Sequence, residues 1–119
     1  MSLKYQEDCN IIPWDRVAAI LQSVGMSYTT PEIHKISFEA SFAVIFVFDN
    51  NSLRGMGRIL SDGVRQSAMY DIAIDPRYQG RRIGQQIVRR LLDKTPGCNC
   101  ILYASPGKEG FYKNWALRR

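Results

Sequence analysis

The feature that most constrains this chain is a change of hydrophobic period around a glycine-marked loop. Residues 67–75, SAMYDIAID, read as a strand that Asp75-Pro76 brings to an end. From Arg81 to Lys94 the apolar positions Ile83, Ile87, Val88, Leu91 and Leu92 recur at helical spacing, with Arg89 and Arg90 toward the opposite side. Thr95-Pro96-Gly97 stops that helix, and CNCILYAS, residues 98–105, is a further strand. A strand, helix, strand run implies a right-handed βαβ unit, which commits the chain to an α/β sheet.

The rest of the chain fits around this unit as one domain over residues 1–119, with no repeat, linker or low-complexity tract. LKYQE, residues 3–7, is a short strand. PWDRVAAILQSVG is a helix with Pro13 near its start, Gly25 after its end and an apolar face of Val17, Ile20, Leu21 and Val24. Thr30-Pro31 starts a second, shorter helix, PEIHKISFEAS. FAVIFVFD runs through Asp49-Asn50-Asn51 into LRGMGRIL, a hairpin signal, and Ser61-Asp62-Gly63 makes the next turn. On the strand before the loop, strict alternation places Tyr70, Ile72 and Ile74 on one face and Asp71, Ala73 and Asp75 on the other. KEGFYKNWAL, residues 108–117, reads as a last short helix.

Apolar residues make up 45% of the chain and charged residues 23%, the balance of an ordinary globular protein. The longest apolar run, Phe42 to Phe48, has seven residues and cannot span a bilayer. The opening MSLKYQEDC lacks the pattern of a signal peptide, so a cytoplasmic protein without a membrane partner is expected. Cys9, Cys98 and Cys100 lack metal-ligand spacing and read as buried thiols, so no metal is expected. His34, the single histidine, reads as a packing residue on a helix surface or in the core. Residues 1–63 hold five Lys or Arg against seven Asp or Glu, and residues 64–119 hold eleven against four. A basic half implies an anionic partner: a phosphorylated cofactor, a nucleic acid or an anionic membrane.

The loop itself narrows that choice. Helix N-termini carry partial positive charge, so Arg81 and Arg82 are misplaced at one unless an anion is bound there. Gly80 permits a tight turn and Gly84 a close approach, while the backbone N–H groups between them point outward without helical partners. A pyrophosphate would satisfy those donors and offset the arginine charge. The plainer alternative is that Gly80 caps the loop, Gly84 packs on the sheet and both arginines bend into water.

A strand ending in Asp-Pro, then RYQGRRIG, then an amphipathic helix, resembles the acetyl-CoA site of the GCN5-related N-acetyltransferase (GNAT) family. The family motif is Gln or Arg, two residues, Gly, one residue, Gly or Ala. Gln79, Gly80, Arg81, Arg82, Ile83 and Gly84 fill its positions, with Arg82 where the family usually has glycine. The resemblance extends from the first helix to the end of the chain, where FYKNWAL is similar to the family's Phe-Tyr segment. It implies an acyl-CoA N-acyltransferase fold, a mixed and mostly antiparallel sheet flanked by helices. The activity implied is acetyl transfer from acetyl-CoA to a primary amine of a small molecule or peptide by direct attack.

By the same resemblance, the backbone of Ile72, Ala73 and Ile74 would hold the pantetheine arm where the strand splays from its neighbour. Gln79, Gly80, Arg81, Arg82, Ile83, Gly84 and Gln85 would surround the pyrophosphate, Arg77 or Arg89 would reach the outer phosphate, and Ser105 would make a polar contact to pantetheine. Tyr112 matches the tyrosine that protonates the departing thiolate, a role suited to a phenol with an ordinary pKa of about 10. Asp71 matches a position that often carries an acid, as a base through water or as the binder of a cationic amine, and Glu39 is a weaker candidate. Asp49, Asp62 and Asp71 would suit such an amine. Trp115-Ala116-Leu117 departs from the family's usual ending and the chain stops where a last strand normally follows. Either the sheet lacks that strand or another subunit supplies the edge, hence an expected homodimer. Competing readings are an acyl-CoA-binding regulatory module and, with no nucleic-acid-binding motif in its favour, a basic nucleic-acid binder.

Overall fold

A computed structural model of the chain describes residues 2–103 and the backbone of residues 110–113. The elements run β1 (Leu3–Gln6), α1 (Trp14–Ser23), α2 (Pro31–Glu39), β2 (Ala43–Asp49), β3 (Ser52–Ser61), β4 (Gln66–Ile74), a 3-10 turn (Pro76–Tyr78), α3 (Ile83–Asp93), β5 (Asn99–Leu102) and β6 (Gly110–Lys113). One six-stranded sheet takes the strands in sequence order. Every neighbouring pair is antiparallel except β4 with β5, which are parallel and joined through α3. The expected mixed, mostly antiparallel sheet flanked by helices is therefore present. No helix among the described residues is long and apolar enough to cross a membrane.

Each face of the sheet buries its own core. On one side Val17, Ile20 and Leu21 of α1 and Phe38 of α2 meet Val44, Phe46, Leu53, Met56 and Ala73. Trp14, Phe38 and Phe46 pack there with ring centroids 5.3 to 5.8 Å apart. On the other side Ile83, Ile87, Leu91 and Leu92 of α3 cover Ile45, Val47, Ile59 and Met69. Alternate β2 residues thus feed opposite cores, as a strand buried on both faces requires. The β2–β3 connection is the two-residue hairpin expected from its asparagines, Asn50 and Asn51 both having positive φ, 50° and 69°. Glycines in RGMG have a packing reason: a Cβ on Gly57 would come within 2.4 Å of Ile72 Cδ1 and 2.9 Å of Ile87 Cγ2, so glycine there lets α3 lie close on the sheet.

Two expectations are corrected. Strict alternation along β4 fails because the strand bulges. Arg58 pairs with Tyr70 and Met56 with Ala73, so Gly57 alone faces both Asp71 and Ile72, and Asp71 takes φ 60°. Consequently Tyr70 joins Asp71 and Ala73 on the α1/α2 side, while Ile72 and Ile74 pack toward α3. The segment around FYK is strand rather than helix: Gly110–Lys113 pairs antiparallel with β5, Tyr112 opposite Cys100. Adjacent aromatic residues favour a pleated ladder where a neighbouring strand offers its edge.

Candidate functional site

The site is built around the end of β4. The parallel ladder with β5 runs from Gln66 and Asn99 to Met69 and Leu102, and the N–H of Tyr103 donates to the Met69 carbonyl at 2.9 Å. There the Tyr70 and Tyr103 rings stack, centroids 4.8 Å apart. Beyond them β4 continues to Ile74 with no β5 partner in the ladder. Among the described residues Ile72, Ala73 and Ile74 thus lie along an opening between β4 and β5, their side chains taken up by the two cores. One carbonyl there is engaged: Ile74 accepts from Gln79 Nε2 at 3.4 Å.

The loop that follows is fastened by Asp75. Its carboxylate, 5% exposed, accepts from Arg16 of α1 at 2.7 Å, Arg54 of β3 at 3.0 Å and Arg77 at 3.3 Å, and from the Arg77 backbone N–H at 3.0 Å. Burial alone would raise its pKa, but the Arg77 N–H and the guanidinium groups of Arg77 and Arg54 outweigh it and hold the carboxyl at about 2. The Tyr78 ring lies between two guanidinium groups, those of Arg54 and Arg81, each 4.8 Å from its centroid. Its hydroxyl donates to Asp49, which lowers the pKa of that carboxyl and raises that of the phenol.

Helix α3 begins at Ile83, two residues later than the periodicity predicts, so Arg81 and Arg82 precede it. Gln86 N–H makes the first bond to the Arg82 carbonyl, leaving the N–H groups of Ile83, Gly84 and Gln85 without acceptors in the helix. Gly80 has φ 81°, and Arg82, the N-cap, is left-handed at φ 62° with no side-chain cap. The glycine usual at that position thus answers a backbone requirement, which Arg82 meets at a cost of roughly 1–2 kcal/mol. A Cβ on Gly80 or Gly84 would meet nothing within 4 Å, so Gly84 does not pack on the sheet and space lies open over the helix start. Outward N–H groups, a positive helix end, open space and two exposed arginines fit a pyrophosphate.

On the α1/α2 side of the bulge lies a cleft of about 210 Å³, lined by Ser27, Tyr28, Thr29, His34, Ser37, Arg58 and Asp71. Asp71 Oδ2 accepts from Arg58 Nε at 2.8 Å, and Arg58 Nη1 donates to Ser41 Oγ at 3.3 Å. The Arg58 guanidinium also lies over the Phe38 and Tyr70 rings. His34 is buried, as core packing required, and its Nε2 accepts the Thr29 N–H at 3.0 Å. Burial pushes the imidazole below its ordinary pKa and toward the neutral form; Asp71 opposes that shift and Arg58 adds to it. A second, open cleft of about 800 Å³ lies along β1 and the hairpin, away from the opening in the sheet.

Of the sequence-derived residues, the fold brings together Asp71, Ile72, Ala73, Ile74 and the 79–85 loop. Glu39 is exposed at the end of α2 and does not line the cleft. Arg77 is tied to Asp75. Ser105 and the side chain of Tyr112 lie outside the described residues. Asp49 and Asp62 do not line the cleft with Asp71: Asp49 holds Tyr78, and exposed Asp62 accepts the N–H groups of Val64, Arg65 and Gln66 through Oδ1. Missed altogether were Arg58 as the partner of Asp71 and the arginine cluster on Asp75. Those are contacts between distant strands that no local pattern encodes.

A model of the acetyltransferase (GNAT) family matches residues 11–115. This chain belongs to that family. An uncharacterized ycf52-like N-acetyltransferase of Prochlorococcus marinus is 32% identical over 108 residues, covering 82% of this chain and 59% of its own length. This GNAT chain spans about half the length of the curated relatives it matches. A probable acetyltransferase of unknown function from meticillin-resistant Staphylococcus aureus superimposes with a TM-score of 0.75 at 25% identity, covering 87% of this chain and 80% of that one. An aminoglycoside 6'-N-acetyltransferase complexed with coenzyme A shares the fold at a TM-score of 0.69 and 13% identity, over 83% and 60% of the two chains.

Proposed function

We propose that this GNAT domain transfers the acetyl group of acetyl-CoA to a primary amine by direct attack. The observation that carries the reading is the start of α3, where the N–H groups of Ile83, Gly84 and Gln85 lack acceptors in the helix just beyond the part of β4 that β5 does not pair. The coenzyme A complex of the structural neighbour supports the same ligand. Bound acetyl-CoA would supply an acetyl group activated as a thioester. The backbone of Ile72, Ala73 and Ile74 would hold its pantetheine arm, with Ser105 adding a polar contact. Gln79, Gly80, Arg81, Arg82, Ile83, Gly84 and Gln85 would hold the pyrophosphate.

The chain's own residues then bind, orient and move protons. Asp71, in the cleft beside the opening, would hold the incoming amine. Tyr112 would carry a proton on its phenolic oxygen for the leaving sulfur, a general-acid role that typically contributes 10²–10⁴-fold. A homodimer through a sheet edge is proposed with it, since β1 and β6 are the outer strands among the described residues.

Calorimetric titration of acetyl-CoA into the native chain and into Arg81→Glu/Arg82→Glu tests the binding half. Micromolar affinity that collapses in the double variant is expected, whereas equal affinities would remove the arginines from the site. Thiol release from acetyl-CoA with a panel of amines tests the catalytic half. Binding with no release for any amine would favour a regulatory CoA-binding module. Tyr112→Phe is expected to lower kcat at least 100-fold with acetyl-CoA affinity unchanged.

A further inference from the structure

The acceptor cleft carries a paired charge, and the pair is incomplete in a specific way. Arg58 spends Nε on Asp71 and Nη1 on Ser41, while its Nη2 has no hydrogen-bond partner among the described residues. Asp71 accepts through Oδ2 and leaves Oδ1 without one. Both side chains line the same cleft, 16% and 18% exposed. One open donor and one open carboxylate oxygen therefore belong to a single ion pair that lines the cleft at the bulge. The remaining lining is three hydroxyl side chains, Tyr28 and neutral His34, so the cleft has no net charge to attract a polycation. At about 210 Å³ it is an open cleft smaller than the roughly 300–1,000 Å³ of a pocket that encloses a drug-sized ligand, so it has room for a head group only.

We propose that the acceptor is an α-amino group with an adjacent amide carbonyl, as at a peptide N-terminus: its amine rests on Asp71 Oδ1 and its carbonyl oxygen accepts from Arg58 Nη2. The inference rests on the acetyl-transfer reading above. The proton balance favours the same class. Attack forms the N–C bond of the new amide and breaks the C–S bond of the thioester, and the one proton lost by a neutral amine balances the one that the thiolate takes from Tyr112 to leave as the thiol. Few acceptors in the cleft are open to the amine proton: His34 Nε2 is engaged by the Thr29 N–H and Asp71 Oδ2 by Arg58, which leaves Asp71 Oδ1, the atom that holds the amine. An amine already largely neutral suits such a cleft. A peptide α-amino group, pKa about 8, is about one-quarter neutral at pH 7.5, whereas a lysine side chain, pKa about 10.4, is about 0.1% neutral.

The test is thiol release from acetyl-CoA at pH 7.5 with glycinamide, a heptapeptide with a free N-terminus and no lysine, propylamine, Nα-acetyl-lysine amide and spermidine. Expected is a kcat/KM for the α-amino amides at least tenfold above propylamine after correction for the neutral fraction, and higher still over the lysine and spermidine amines. Glycinamide against the heptapeptide distinguishes a small amide from a peptide as the source. Arg58→Lys is expected to raise KM for the α-amino amides about tenfold more than it does for propylamine, with the acetyl-CoA Kd within twofold of native. Propylamine or spermidine outpacing the amides overturns the inference and leaves acetyl transfer standing, as does an equal loss for all amines in Arg58→Lys. Release with no amine while acetyl-CoA binds overturns both. The native-chain comparison of glycinamide with propylamine decides the matter even if Arg58→Lys fails to fold.

Discussion

Asp75 gathers three guanidinium groups and a backbone N–H, whereas Asp71, four residues earlier in β4, meets one guanidinium and keeps an oxygen open. The first belongs to the loop before α3 and ties α1, β3 and the 3-10 turn into one piece. The second belongs to the cleft between the bulge and α2, whose wall is fixed chiefly by the bond from the Thr29 N–H to His34. The contrast separates two demands. On the proposed function, the group that is the same in every reaction would be met by backbone donors on a rigidly tied loop. The group that defines the substrate would be met by side chains with unspent hydrogen-bonding capacity.

Four variants would break or sharpen that contrast. The largest effect is expected from Asp75→Ala, which leaves Arg54 largely buried without its partner and should cost about 3 kcal/mol in urea unfolding and weaken acetyl-CoA binding. Next is the acid limb of the native protein. Because folding lowers the Asp75 pKa from an ordinary 3.8 to about 2, its contribution of about 2 kcal/mol is complete above pH 4 and lost as the pH falls toward 2. Stability measured from pH 5 to 2 should fall less steeply in Asp75→Asn; parallel curves would deny the carboxylate its role. Arg82→Gly removes the left-handed penalty but loosens the unfolded chain, so a net gain of up to about 1 kcal/mol is expected. A drop in acetyl-CoA affinity alongside that gain would assign the side chain to the phosphates. The smallest change belongs to the cleft: His34 is held neutral, so stability should decline as the pH falls below its ordinary value near 6.5. His34→Gln should lack that decline.

The elements were legible because their signals are local. The Asn-Asn turn, the helix stripes of α1 and α3, and Thr30 as the cap whose side chain accepts the Ile33 N–H all follow from neighbours in sequence. The glycine loop was legible for the same reason, down to its outward N–H groups. Three things were not. A bulge depends on a partner strand and leaves no period of its own, so Tyr70 was assigned to the wrong face. The strand at Gly110–Lys113 exists through pairing with β5, a tertiary contact that overrides local pattern. The pairing of Arg58 with Asp71 joins β3 to β4 across that same bulge. Arg58 could have been suspected only as a cation placed within a strand otherwise rich in apolar residues and glycine.

The bulge at Asp71 also fixes what kinds of change this domain can absorb. It acts as a half-period phase shift: residues before it and after it address opposite faces by opposite parity. Substitutions at positions 66–74 alter one contact each, but removal of a residue between the bulge and Asp75 would put those after it out of phase. Loss of Ile72 would turn Ala73 toward α3 and Ile74 toward the aromatic core, whereas loss of the bulged Asp71 would restore plain alternation and keep those faces. The spacing between the β4–β5 ladder and Asp75 is therefore a stricter specification than any one side chain along it, and a library that varies length there should lose folded members faster than one that varies composition.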